Sequence, residues 1–483
     1  MLVGIQDEIL RLQSKGLLAG LLADKTTRAN IIWATDAYKD LGPAYARDRA
    51  MEPGLITGRH SDVIKTRARK AMEHQSERTR KHAEVFTPLW VCQKMLSLGD
   101  AEAFGGRDPF LTEERPAERF FTENNRWQAY VDARRLEITC GEAPFLVQRY
   151  DAATGEMIPL AGRQGLLDRK LRLVNAYAED EVTWFKWAVR AFQATYGYEL
   201  TGDNLLIARV NLLMTFEDAL MARWARKPTA HEYRKIIKTI AWNIWQMDGL
   251  TGGLPFAQAA QAGRQMDLFS LLDPGPEEDS PNPAPDCRIY NWRADRSLAY
   301  NDLTQGGNGM KFDFIIGNPP YQEETNSDST RKPPIYHLFM EEAYKVAKSV
   351  LLITPARFLF NAGYTPKQWN KKMLDDGHFK VLSYEADSSS VFSDTDIKGG
   401  IVISYRDTNK DFSPIGTFTK FPELNKILGK VKRLSSSYLD GIITSPLSYS
   451  LTDIMKQDHP ELLHRLRTSA FTTLAPIFFE KVP

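Results

Sequence analysis

Residues 311–322 read KFDFIIGNPPYQ. Phe312 to Ile316 is short, apolar and β-branched at its end, which suits a strand buried on both faces of a parallel sheet. Proline has no N–H to give a ladder, so the strand ends near Gly317. Asn318-Pro319-Pro320-Tyr321 then forms a stiff loop at the carboxyl end, the end where open α/β sheets bind ligands. Read from the residues alone, the loop is either a rigid presenter of hydrogen-bond acceptors or a Pro-rich turn closing a core strand.

Further strands flank this one. SVLLITPARFLF (349–360) and GGIVISYRD (399–407) follow it, and CRIYNW (287–292) precedes it. Further upstream, YVDARRLEITCGEAPFLVQRYD (130–151) reads as a strand at Leu136 to Ile138, a tight turn at Cys140 to Pro144, then a helix. EVTWFKWAVRAFQATYG (181–197) has helical apolar spacing and a stop at Gly197. YGYEL starts as a short strand through Leu200, and Asp203 is placed to cap a helix carrying Leu205, Leu206, Leu212, Leu213 and Phe216. Strands alternating with helices predict an α/β, doubly wound, Rossmann-like sheet over residues 84–408. Residues 1–83 form a helical N-terminal region and 409–483 a small C-terminal one. Within the α/β region, residues 273–286 hold five prolines and five acids, an extended surface insertion.

The composition is that of a globular chain, 43% hydrophobic and 25% charged. A net charge of +1 excludes a global polycation, so any nucleic-acid surface is a local patch. Between Val63 and Ala83 lie Lys65, Arg67, Arg69, Lys70, Arg78, Arg80 and Lys81, either a solvated helix face or contacts to DNA phosphates. No apolar run approaches the ~20 residues that span a bilayer, and the first sixteen residues lack the apolar core of a signal peptide. Cys92, Cys140 and Cys287 are far apart in sequence and form no metal-type pair, which points to a reducing, cytoplasmic setting.

The order and content of these segments resemble the amino-group DNA methyltransferases, specifically the adenine-N6 enzymes of the Eco57I-like restriction-modification group. The resemblance covers roughly residues 84–408 and follows the gamma-type motif order. It implies S-adenosylmethionine as cofactor, double-stranded DNA as partner, no metal, and a restriction endonuclease or specificity subunit as a possible companion. EVFTP (84–88) looks like the segment that touches the amino-acid end of the cofactor, which brings in Thr87. LEITCGEAPFL (136–146) looks like the cofactor loop. Cys140, Gly141, Phe145 and Leu146 agree with the family, but Glu137 stands for Asp, Glu142 for Ser and Ala143 for Gly. Ala143 narrows the freedom of that turn, because φ > 0 is costly with a Cβ. Glu137 is expected to face the methionine amino group and Glu199 the ribose hydroxyls. Asn291, or else Asp295, is expected to meet the adenine ring.

The same resemblance answers the question posed by the Asn-Pro-Pro-Tyr loop. The lone pair of an exocyclic amine is delocalised into its ring and must be localised before it can accept a methyl group. In the family the Asn318 side-chain carbonyl and the Pro319 backbone carbonyl accept the two N–H groups, and Pro320 keeps the loop rigid. Tyr321 stacks on a base rotated out of the duplex, and Phe392 packs on the opposite face. Two other readings stay open: a methyltransferase acting on RNA or a protein glutamine, and a degenerate DNA- or partner-binding protein. A cytosine-C5 enzyme is disfavoured, because none of the cysteines is in the arrangement its nucleophilic thiolate needs. No spaced acid-acid-lysine nuclease cluster stands out, DTDIK (394–398) being the nearest. Residues 409–483 are expected to be too few to read a target site unaided.

Overall fold

The computed structural model describes residues 4–74, 87–110, 120–122, 126–256, 286–304, 310–323, 333–392, 397–434, 453–458 and 460. Its strands are β1 (Arg135–Ile138), β2 (Thr195–Glu199), β3 (Ile244–Gln246), β4 (Arg288–Asn291), β5 (Arg296–Ala299), β6 (Phe312–Gly317), β7 (Ala347–Pro355), β8 (Phe379–Glu385) and β9 (Ile401–Asp407). Seven of them form one sheet in the order β3-β2-β1-β6-β7-β9-β8, and β4 and β5 form a separate hairpin. β9 runs antiparallel to both its neighbours, whereas the β3-β2-β1-β6-β7 pairings are all parallel. The chain starts in the middle at β1, winds out through β2 and β3, then returns to β6 and winds the other way. Helices connect the strands, so the expected doubly wound α/β sheet is present. The point where the winding reverses lies between β1 and β6, and in open α/β sheets the carboxyl ends of the strands at such a point are where ligands bind.

Burial explains why these segments are strands. Every residue of β1, β2 and β3 is buried, so each needs an apolar or fully hydrogen-bonded run rather than alternation. Gly197 sits inside β2, not at a helix end: the preceding helix, Glu181–Gln193, stops earlier. A Cβ on Gly197 would approach Cys140 Sγ and Leu146 Cδ1 to 3.3 Å, so the glycine admits the loop that follows β1. The helix Gly202–Trp224 is buried nearly all round. Its N-cap is Thr201, and Asp203 lies inside the first turn rather than capping it.

The helix expected directly after Cys140–Pro144 is absent beyond a single turn, Val147 N–H to Ala143 O at 3.0 Å. Side-chain carboxylates take the amides a helix would have used. Asp168 accepts the N–H groups of Gln148 and Gly165 at 2.8 and 3.1 Å, and the next helix begins only at Leu166.

Residues 1–418 and 419–483 are two compact units, so the N-terminal residues share a unit with the sheet. Arg209, fully buried, ties them down: it donates to the carbonyls of Leu21, Ala23 and Ile244. Gln246, at the end of β3, exchanges two hydrogen bonds with the backbone of Ile32. The second unit contains a helix, Pro422–Leu434, with Leu424, Ile427, Val431 and Leu434 exposed at helical spacing.

Beneath the amino end of β1 lies a buried ionic cluster. Asp100 meets Arg135 at 3.2 Å and Arg169 at 2.6 Å, and Arg169 also reaches Asp108 at 3.1 Å. Burial alone would raise the Asp100 pKa, but Arg135 and Arg169 outweigh it and hold it below its ordinary value. Asp100→Asn leaves two guanidinium groups buried with one carboxylate fewer and should destabilise the fold by about 3–5 kcal/mol. Stability from a depressed carboxylate is present above the unfolded pKa of about 4 and lost as pH falls through the folded value. Thermal melts across acid pH should therefore show a shallower acid loss in the Asn variant. A second prediction concerns Ala143, which adopts φ +66° while fully buried. That conformation strains an L-residue by roughly 1–2 kcal/mol, so Ala143→Gly should hold or raise the melting temperature despite removing a buried methyl. A fall of several degrees would show that no strain is relieved.

Candidate active site

The site is assembled where the loops after β1, β2, β3 and β6 converge. The loop after β1 carries positive φ at Thr139, Gly141 and Ala143, +46°, +54° and +66°. Three carboxylates hold this shape. Glu137 accepts the N–H groups of Phe145 and Leu146 at 3.4 and 3.0 Å. Glu199, at the end of β2, accepts the Gly141 N–H at 2.9 Å with one oxygen and Thr201 with the other. Glu142 accepts the Arg67 N–H at 2.5 Å and the Tyr150 hydroxyl at 2.6 Å. Burial pushes both Glu137 and Glu142 above the usual carboxylate range, against the hydrogen bonds that oppose it.

These positions divide the residues expected to meet a cofactor. Glu137 is only 2% exposed and turned inward, so it shapes the loop instead of facing a ligand. Cys140 and Phe145 are core side chains, each 1% exposed, and they can contribute only backbone. Burial drives the Cys140 thiol well above its usual range, with Glu137 and Glu199 adding to it. Gly141 is different: a Cβ built there meets nothing within 4 Å. The loop therefore presents open space beside the Glu199 carboxylate.

Asn291 does not reach this place. It ends β4, and its Oδ1 accepts the N–H groups of Arg293 and Ala294 in the hairpin turn. That turn packs at the amino ends of the strands, where Trp292 donates to Asn243 and Arg293 to Asp132. Asp295 belongs to the same turn and accepts from Tyr290. Both expectations are corrected, because the hairpin runs back along the sheet away from its carboxyl ends. The residue that stands at the carboxyl end of β3 is Asp248. Met247 N–H donates to the Glu199 carbonyl at 3.1 Å, and Asp248 Oδ1 accepts the Leu250 N–H at 2.9 Å. β3 is only three residues long and continues directly from the helix Ala230–Asn243, which hid it in the helical pattern. An acid just past a short apolar run, as at Glu199, was the signal to follow.

The β6 loop meets the loop after β1. Asn318 Nδ2 donates to Thr87 Oγ1 at 2.9 Å, and Thr139 Oγ1 donates to the Asn318 carbonyl at 3.3 Å. Residues more than two hundred positions apart are thus brought into one hydrogen-bonded set. Pro319 and Pro320 follow, and Tyr321, 5% exposed, faces the Asn318 side chain with its hydroxyl. Phe392 is 4% exposed, and its ring centroid lies 6.3 Å from that of Tyr321, edge to face. The two aromatic residues named from sequence are therefore neighbours. Tyr336 and Phe339 pack into the core.

The basic cluster turns out to serve the fold in part. Lys70 pairs with Asp203 at 2.6 Å, and Tyr38 donates to the same carboxylate at 2.6 Å. Lys65 and Arg69 both pair with Asp62, at 3.1 and 3.2 Å. The Arg67 backbone is held by Glu142, as above. Phosphate contact by Lys70 is corrected, since a largely buried carboxylate already neutralises it. Glu84, Arg78, Arg80, Lys81 and the acids of DTDIK lie outside the described residues, as does nearly all of the Pro-rich insertion.

Comparison with known proteins gives a consistent picture. A curated "Uncharacterized adenine-specific methylase" of Mycoplasma pneumoniae is 34% identical over 95 residues, 19% of this chain and 22% of that relative. The chain thus spans about a fifth of the curated relative it matches. Similar solved structures include the DrdV–DNA complex (TM-score 0.37, 11% identity, 74% of this chain and 30% of that one). They also include the ATP-dependent Type ISP restriction-modification enzyme LlaBIII bound to DNA (0.39, 12%, 84% and 25%). Residues 193–392, running from the end of the Glu181–Gln193 helix through Asn318 to Phe392, match the family model of the Eco57I restriction-modification methylases.

Proposed function

We propose that the chain is a DNA methyltransferase that transfers a methyl group from S-adenosylmethionine to adenine N6 in double-stranded DNA, within a restriction-modification system. The observation that carries this reading is the Asn318 geometry. Its amide nitrogen donates to Thr87, so the acceptor end of the side chain is Oδ1, fixed at the reversal point of the sheet. An amine placed there would donate one N–H to Oδ1 and the other to the Pro319 carbonyl. Two rigid acceptors draw the nitrogen lone pair out of conjugation by position and electrostatics. The match to the Eco57I methylases and the adenine-specific relative agree in substrate class.

The residues fit the cofactor. Open space over Gly141 and a carboxylate at the end of β2 suit a ribose, whose two hydroxyls are good donors to Glu199. Asp248 is the group placed for the adenine ring, and Thr87 and the Asn318 loop border the reacting end. When bound, the cofactor supplies an electrophilic methyl group on a sulfonium. The protein's own part is to hold the amine in line and to wall the base between Tyr321 and Phe392. Parallel stacking on both faces needs the rings about 7 Å apart, so their edge-to-face contact must open to admit a base. The degenerate reading loses ground here, because Ala143 adopts the left-handed turn and Glu142 anchors a neighbouring segment.

Calorimetry with S-adenosylhomocysteine should show one site, weakened by about 1–3 kcal/mol in Glu199→Ala. Asp248→Ala should weaken it too, while Asn291→Ala should not. Asn318→Ala should abolish methyl transfer and leave homocysteine-analogue binding nearly intact. Digestion and mass spectrometry of DNA from expressing cells should show N6-methyladenine. N4-methylcytosine, or label only in RNA or protein, would contradict the assigned substrate.

A further inference from the structure

β7 ends at Pro355, and the chain then makes a short turn, Arg357–Phe360. The Ala356 N–H donates to the Gly400 carbonyl at 2.9 Å, which ties this turn to the start of β9. The stem of Arg357 lies in a slot between two glycines. A Cβ on Gly399 would fall 2.5 Å from Arg357 Cγ, and one on Gly363 would fall 3.3 Å from its Cβ and 3.4 Å from Nε. Both glycines have positive φ, +91° and +88°. Two positions that side chains rarely tolerate are therefore used to seat one arginine.

The guanidinium of Arg357 is half-buried and makes no ion pair or side-chain hydrogen bond among the described residues. Other arginines of the fold behave otherwise. Arg406 on β9 pairs with Asp376 at 2.7 Å, and Arg135, Arg149, Arg163 and Arg169 each meet a carboxylate. The acids of the adjoining loop, Glu385 and Asp387, accept the N–H groups of Asp387 and Ser389. Lys398, exposed beside Gly399, adds a second positive charge to the same rim.

The location relates Arg357 to the base site. Ile335 N–H donates to the Tyr321 carbonyl at 3.2 Å, and the helix that follows begins at Tyr336. Burial pushes the Tyr336 hydroxyl up, and the Thr365 hydroxyl and the charge of Arg357 act against it. Gly399 and Gly400 stand between the Phe392 loop and β9. Arg357 thus projects from the carboxyl end of the sheet, between the segment that continues from Tyr321 and the one that continues from Phe392.

We infer that Arg357 grips a DNA phosphate at the rim of the proposed base site between Tyr321 and Phe392, holding the backbone of the strand from which the base is drawn. Its planar fork matches two phosphate oxygens. Rotating a nucleotide out of the stack swings its flanking phosphates, and a fixed positive fork would secure one of them. This inference rests on the reading of the chain as a DNA methyltransferase.

The test uses the full chain, Arg357→Gln and Arg357→Lys. Double-stranded DNA binding is followed by fluorescence anisotropy across a salt series, with S-adenosylhomocysteine binding measured in parallel. The Gln variant keeps the stem in its slot and should bind DNA roughly tenfold more weakly. The slope of log K against log salt should become shallower by about 0.9, one phosphate contact. The Lys variant should keep the parent slope, and S-adenosylhomocysteine affinity should be the same in all three. A Gln variant with the parent slope overturns the inference, as does equal loss of slope in both variants. A parent chain that binds no DNA sinks the methyltransferase reading first, and the inference with it.

Discussion

The Glu199 carboxylate accepts the N–H of Gly141 across the gap between β2 and the loop after β1, and the site depends on that bond. The loop has three consecutive-but-one residues in the left-handed region, two of them bearing a Cβ. Such a path is unfavourable for the isolated chain. It persists because carboxylates from three directions accept its amides or anchor its flanks: Glu137 from within the strand, Glu199 from the neighbouring strand, and Glu142 from the loop itself. Hydrogen bonds of this kind contribute about 0.5–1.5 kcal/mol each, and together they offset the strain. In holding Gly141, Glu199 also fixes its own position at the place where a ribose would lie.

The same constraint explains why the N-terminal residues share a unit with the sheet. Glu142 accepts from the first residue of the Arg67–His74 helix, and Lys70 of that helix reaches Asp203 at the start of the helix after β2. Thr87 then meets Asn318. Segments distant in sequence are thus joined, and the charge of Lys70 is used in joining them. What looks in sequence like a phosphate-binding run is, for Lys70, internal pairing with Asp203, while Lys65 and Arg69 make surface pairs with Asp62. Arg357 presents the opposite case. Nothing in its composition or spacing sets it apart, and only the glycine slot around it shows that its position is built.

Much of the fold and part of the site were legible in sequence. β1, β6, β7 and β9 were readable because a strand buried on both faces must be a short, largely apolar run, and prolines and glycines marked their ends. Asn318 and Tyr321 stood out because an amide, two prolines and an aromatic follow a strand end, whereas Glu199 and Phe392 were singled out by the family resemblance. The structure brings Tyr321 and Phe392 together. β3 was not, because three residues continuing a fourteen-residue helix carry no pattern of their own. Missing it placed the expected adenine contact on the next strand-like segment, CRIYNW, which folds as a hairpin off the sheet. Gly197 misled for a related reason: a glycine after a helix reads as a stop, and only the packing of Cys140 and Leu146 against it shows why β2 needs it. Glu137 shows the limit of carrying roles by position, since burial decides whether an acid meets a ligand or the backbone.

The most direct measurement is a crystal structure of the chain with S-adenosylhomocysteine. The account predicts the ribose on Glu199, the adenine ring beside Asp248, and the homocysteine end between Thr87 and the Asn318 loop, with the Gly141 backbone against the ligand. A ligand bound at the amino ends of the strands beside Asn291, or Glu199 still turned wholly onto Gly141 and Thr201 with no ligand contact, would contradict it.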